Sequence, residues 1–205
     1  HDQLLNLMNT SVLDTLNEQD ILRHQEKVQF TRNLLSLDET AYAKIIKKIE
    51  SFQVAVPSWA LGTGGTRFGR FPSGGEPRNL EEKIEDVGLI HHVTRATNSI
   101  SLHIPWDIPK DPSAIHQLLK QNELTIDSVN SNTFQDQADQ KYSYKFGSLC
   151  HTDDRIRQQA VDHNIEVVEH GIKLNSNVLT VWLADGSNFP GQHHFRRAFA
   201  RTQNS

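Results

Sequence analysis

From Phe52 onward, a short apolar strand segment followed by a helix recurs four times. No other feature limits the fold as much, because parallel strands need crossover connections and a helical crossover packs back onto its own sheet. The strand segments are FQVAVPSW, alternating at Phe52, Val54 and Val56, then NSISLHI, LTIDSVN and NVLTVWL. Between them lie three helical stretches. PRNLEEKIEDVGLIHHV presents Leu80, Ile84, Val87 and Ile90 on one face, with Asn79 and Glu82 spaced as a capping box. DPSAIHQLLKQN has Asp111 at its cap, Pro112 in its first turn and Asn122 to close it. TDDRIRQQAVDHNIEVVEHG is capped by Thr152 or Asp153 and predicted to end at Gly171. The fourth strand is followed by GQHHFRRAFARTQNS, the start of a further helix.

This alternation predicts an α/β fold with a parallel sheet, either an open doubly wound sheet or part of a closed (β/α)8 TIM barrel. The strand faces favour the barrel. Ile100, Leu102 and Ile104 oppose Ser99, Ser101 and His103, and Leu179, Val181 and Leu183 oppose Val178, Thr180 and Trp182. An open sheet covered on both sides is apolar on both faces, whereas small and polar residues on one face suit a barrel interior. A complete barrel takes ~250 residues. Residues 51–205 are therefore expected to be its first half, about four β/α units. Residues 1–50, with DETAYAKIIKKIESF as the clearest helix, form a helical N-terminal extension.

Composition removes several function classes. A formal net charge of −4 offers no basic face for nucleic acid. No apolar run approaches the ~18 residues of a membrane span, and HDQLLNLMNTSV lacks the blocks of a signal peptide. The lone Cys150 fits a reducing compartment, so a cytoplasmic location is expected.

The site of a barrel lies at the C-terminal ends of its strands. There the sequence puts Trp59; His103, Trp106 and Asp107; Asn130, Asn132 and Phe134; and Trp182 and Asp185. All three tryptophans fall in this set. Aromatic walls with scattered hydrogen-bonding groups suit a sugar-sized polar ligand, whose C–H faces pack on rings while its hydroxyls need partners. In LHIPWD, Asp107 follows His103 by four residues, and a carboxylate beside an imidazole fixes its tautomer and raises its basicity. A histidine bonded to loop backbone would read the same, and spacing does not separate the two. His163 is expected to be a satisfied packing residue. His91 and His92 have no acidic partner at metal-binding spacing, and the chain contains neither HExxH nor CxxC.

The stretch LGTGGTRFGRFPSGGE holds six of the eleven glycines. It fits neither G-x-G-x-x-G, since Arg67 stands where the third glycine belongs, nor a P-loop. Its length, and Arg67 and Phe68 between glycines, read as a closing loop. A non-catalytic nucleotide-binding module built on Gly62–Gly75 is the alternative, and another metal-dependent barrel enzyme, such as an epimerase, is a third.

The motifs VPSWALGTGGTRF, LHIPWD, SVNSNTFQD, YKFGSLCH and VWLADGSNFPGQ, in this order between Phe52 and Gln192, resemble those of the bacterial L-rhamnose isomerases of the broad-specificity subtype, relatives of xylose isomerase. The resemblance implies an aldose–ketose isomerase on a (β/α)8 barrel that interconverts L-rhamnose and L-rhamnulose. It implies two divalent cations, Mn2+ foremost with Co2+ or Zn2+ as substitutes, and a homotetramer. Carried over, His103 contacts the sugar ring oxygen and assists ring opening, with Asp107 orienting it. Trp59, Trp106, Phe134 and Trp182 form the aromatic walls, and Phe68 closes over the pocket, its own or a neighbouring subunit's. The metal ligands are expected beyond Ser205.

Overall fold

The computed structural model describes residues 10–36, 38–62, 65–66, 69–70, 74–183, 191 and 193–205. Among the described residues, six helices and six strands occur in the order α1 (Thr10–Leu34), α2 (Glu39–Glu50), β1 (Ala55–Pro57), β2 (Gly65–Thr66), β3 (Gly69–Arg70), α3 (Leu80–Thr94), β4 (Ser99–His103), α4 (Pro112–Gln121), β5 (Thr125–Ser131), α5 (Asp154–Lys173), β6 (Leu179–Val181) and α6 (Phe195–Asn204). A 3-10 turn, Ser58–Ala60, follows β1. The four strands predicted from the alternation form one parallel sheet in the order β1-β4-β5-β6. The fold is α/β, as expected. No helix among the described residues is long and apolar enough to cross a membrane.

The chain divides into two compact units, His1–Ile100 with Gln117–Thr125 and Ser101–His116 with Ile126–Ser205. In the first, α3 starts where Asn79 Oδ1 accepts the Glu82 N–H at 2.9 Å, the first half of the predicted capping box. The second half differs: Glu82 turns back past the cap and accepts the Arg78 N–H at 2.6 Å together with the Arg78 guanidinium. That guanidinium holds the Glu82 carboxyl below its usual range. Leu80, Ile84 and Val87 are buried as the helical spacing predicts, each burial contributing about 1.5–3 kcal/mol.

α3 ends on Arg95 in the left-handed conformation, φ 53°. From there Arg95 reaches Asp14 on α1 at 3.0 Å and Glu123 at 3.3 Å. Asn17 also donates to the His92 carbonyl, so α1 is tied to the end of α3 by polar contacts. The predicted FQVAVPSW strand shrinks to Ala55–Pro57, leaving Phe52 and Val54 outside it and exposed. Within the glycine-rich stretch, Gly65–Thr66 and Gly69–Arg70 pair antiparallel as a short hairpin. Gly74 and Gly75 follow with φ near +80°, a conformation side chains resist.

Gly88, in the middle of α3, has a packing reason to be glycine. A Cβ there would come within 2.2 Å of Asn122 Oδ1 and 2.9 Å of Asn122 Cβ. Asn122 cannot simply swing away, because its Nδ2 donates to the Leu118 carbonyl at 2.9 Å, closing α4. Alanine would gain about 1 kcal/mol of helix propensity, against about 1–3 kcal/mol for over-packing. Gly88→Ala is thus expected to lower the unfolding free energy by up to about 2 kcal/mol in urea denaturation; higher stability would show that Asn122 yields.

In the second unit, β5 and β6 run parallel with Val129, Asn130 and Ser131 opposite Leu179, Thr180 and Val181. α5 is capped by Asp153, which accepts from the Arg155 N–H and guanidinium. That contact draws its carboxyl down to about 2. Gly171 does not end this helix, which continues to Lys173. It is buried instead against the sheet, where a Cβ would stand 3.0 Å from Val129 Cγ2. The glycine permits close helix–strand approach, and the left-handed residue after the helix is Asn175. Tyr144, Leu149 and Ala160 form a core cluster with Ile156, Val161 and Val181 packed on it.

Candidate active site

In the second unit, four aromatic rings gather at the C-terminal ends of β4, β5 and β6. His103 is the last residue of β4, and its ring meets Trp106 edge-on with centroids 4.6 Å apart. Phe134, three residues past β5, lies 5.7 Å from His103 and 4.5 Å from Trp182, the residue after β6. Strand alternation brings this about. Leu179 and Val181 adjoin α5 side chains, so Trp182 leaves the strand on the opposite side, where Phe134 waits. His103, Trp106 and Phe134 are half-buried, while Trp182 keeps 63% of its surface exposed. The resulting wall has an open aromatic face at one end and an imidazole at the other.

Asp107 is 1% exposed. Its Oδ2 accepts the main-chain N–H of His103 at 2.8 Å, and its own N–H donates to the His103 carbonyl at 3.0 Å. The two bonds close a tight turn, containing the cis Ile104–Pro105 peptide, that fixes the end of β4. Trp59 sits on the 3-10 turn of the first unit, 49% exposed. Phe68 and Asp185 lie outside the described residues.

Beyond β5 the chain runs without regular structure to α5, yet it is closely tied. Asn132 Nδ2 donates to the Gln135 carbonyl at 2.9 Å, and Asp136 Oδ1 accepts from Tyr144 N–H at 2.6 Å and from Gln140. Gln159 on α5 pairs with both the N–H and the carbonyl of Tyr142. A cleft of about 530 Å3 opens here, lined among others by Pro105, Asn132, Gln140, Tyr144, His163 and Glu166.

His163 is satisfied, as predicted, and its partners are informative. Nε2 accepts the Asn132 N–H at 2.9 Å, and Nδ1 lies 3.3 Å from Glu166. The link spans 31 residues, so no local pattern announces it. His91 gains by folding a neighbour that its sequence spacing does not show: Glu123, 3.9 Å away. Burial pushes its imidazole pKa down, with Arg95 adding to the effect. His194 caps α6, its Nδ1 accepting from Arg197 N–H at 3.3 Å. Among the described residues no group of three or more His, Cys, Asp or Glu side chains converges to hold a metal ion.

The chain is similar to two curated proteins. One, described as a “probable sugar isomerase” of Mesorhizobium japonicum, is 57% identical over 154 residues, covering 75% of this chain and 36% of that protein. The other, a “probable sugar isomerase” of Rhizobium meliloti, is 48% identical over 201 residues, covering 95% of this chain and 45% of that protein. The chain thus spans less than half the length of these relatives. No family model matches it.

Proposed function

We propose that this chain belongs to an aldose–ketose isomerase and supplies the aromatic part of its sugar site. The carrying observation is the joined set His103, Trp106, Phe134 and Trp182 at three strand ends, in a chain similar to probable sugar isomerases. The ring faces would pack the C–H surface of a pyranose. The imidazole of His103 would reach the ring oxygen and transfer the proton that opens the hemiacetal. Phe134 and Trp182 would shed water around it. The motif resemblance adds Trp59 and Phe68 to the residues that contact the sugar.

The motif resemblance makes L-rhamnose and L-rhamnulose the preferred pair. In the same reading, residues 51–205 are half of a (β/α)8 barrel, residues 1–50 an added helical arm, and the whole protein a homotetramer. The described residues do not form a cage for the two divalent ions that the resemblance implies. Their ligands would belong to the longer protein, and when bound the ions would polarise the sugar's C1 and C2 oxygens.

The test is direct. The complete protein is expected to convert L-rhamnose to its ketose with Mn2+ present and to lose that activity in EDTA, returning when Mn2+ is restored. Absence of ketose from L-rhamnose and a panel of other aldoses, with metal supplied, would end this reading.

A further inference from the structure

We propose that His163 is a positioning residue for the aromatic wall, holding the end of β5 only while its imidazole is neutral. The proposal rests on the reading above, that the Phe134–Trp182 wall receives the sugar.

The donor at Nε2 is a main-chain N–H, that of Asn132, 2.9 Å away. A peptide nitrogen has no lone pair to offer, so Nε2 must be the unprotonated nitrogen. The neutral ring then carries its proton on Nδ1, which faces Glu166 Oε2 at 3.3 Å. Glu166 Oε1 is in turn 3.9 Å from His170 Nε2. A second proton on His163 would set N–H against N–H. Asn132 is 2% exposed, so its N–H would lose its acceptor where water does not replace it.

The strain would reach the wall quickly. Asn132 is followed by fully buried Thr133 and then Phe134, whose ring bridges His103 and Trp182. Charged and titratable groups of both signs lie near this cleft. Glu166 on its own helix faces Nδ1 with His170 beyond it, and Asp139 and Lys141 line the same cleft. A second proton on the ring would therefore loosen the wall.

Two measurements test this. In the 15N-labelled protein at neutral pH, His163 is expected to carry its proton on Nδ1, with a scalar coupling from the Asn132 amide to Nε2 that vanishes on acidification together with a shift of the Phe134 ring protons. A proton on Nε2, or Phe134 resonances indifferent to the loss of the coupling, overturns the proposal. This arm needs neither sugar nor variant, so it stands even if the sugar reading fails.

The second arm follows L-rhamnose binding by the complete protein. Wild type is expected to bind about ten-fold more weakly at about pH 5 than at about pH 7.5. His163→Gln, which offers an uncharged acceptor, should lose most of that dependence, while His163→Leu should bind about ten-fold more weakly at both. His103 is present in wild type and variants alike, so the difference isolates His163. Identical pH profiles for wild type and His163→Gln overturn the proposal.

Discussion

The complete protein carrying His103→Asn is expected to turn over L-rhamnose about 100-fold more slowly than wild type, with its fold intact, because a positioned acid or base contributes roughly 10²–10⁴-fold. His103 ends β4 and is the only titratable member of the ring set joined through Trp106 and Phe134. Asparagine keeps a planar polar group there but cannot exchange a proton near neutral pH. Its main-chain N–H remains available to Asp107, so stability should change by less than about 1 kcal/mol. The loss should fall on kcat more than on KM, since Trp106, Phe134 and Trp182 still offer their faces. An unchanged kcat would remove His103 from proton transfer and leave it as part of the wall.

The sequence makes the sheet legible because its signals are local. Alternation at 99–104 and 178–183 predicts strands, and Leu80, Ile84 and Val87 mark the buried face of α3 by spacing alone. Caps at Asn79, Asp111 and Asp153 follow from side-chain chemistry within three residues of a helix start. The same alternation sends Trp182 towards Phe134.

What the sequence hides is set by pairs distant along the chain. Gly171 reads as a helix stop because glycine commonly ends helices, yet its purpose is contact with Val129, 42 positions earlier. Gly88 reads as a weak point in a helix until Asn122 appears beside it. Glu82 takes the Arg78 N–H instead of completing its box, since the Arg78 guanidinium draws the carboxylate one residue further back. His163 is readable as a satisfied histidine, but not as the acceptor at the end of β5.

Asp107 combines both situations and carries the second large effect. The sequence suggests a carboxylate that orients the His103 imidazole, and the geometry adds a hydrogen bond that its Oδ2 accepts from the His103 main-chain N–H at 2.8 Å. Two substitutions separate these roles. Asp107→Ala removes the acceptor from a buried turn, and a hydrogen bond to a charged group contributes about 1.5–3 kcal/mol. That variant is expected to unfold about 2–3 kcal/mol more easily in urea. Asp107→Asn retains an oxygen for the N–H and only weakens the bond, so its stability should fall by about 1 kcal/mol or less. A carboxylate that also tunes the imidazole would nonetheless be missed in catalysis. The complete Asp107→Asn protein is therefore expected to lose about ten-fold in kcat. If Asp107→Asn matches wild type in rate while Asp107→Ala unfolds early, the carboxylate serves the backbone turn alone and His103 acts without an orienting partner at this position.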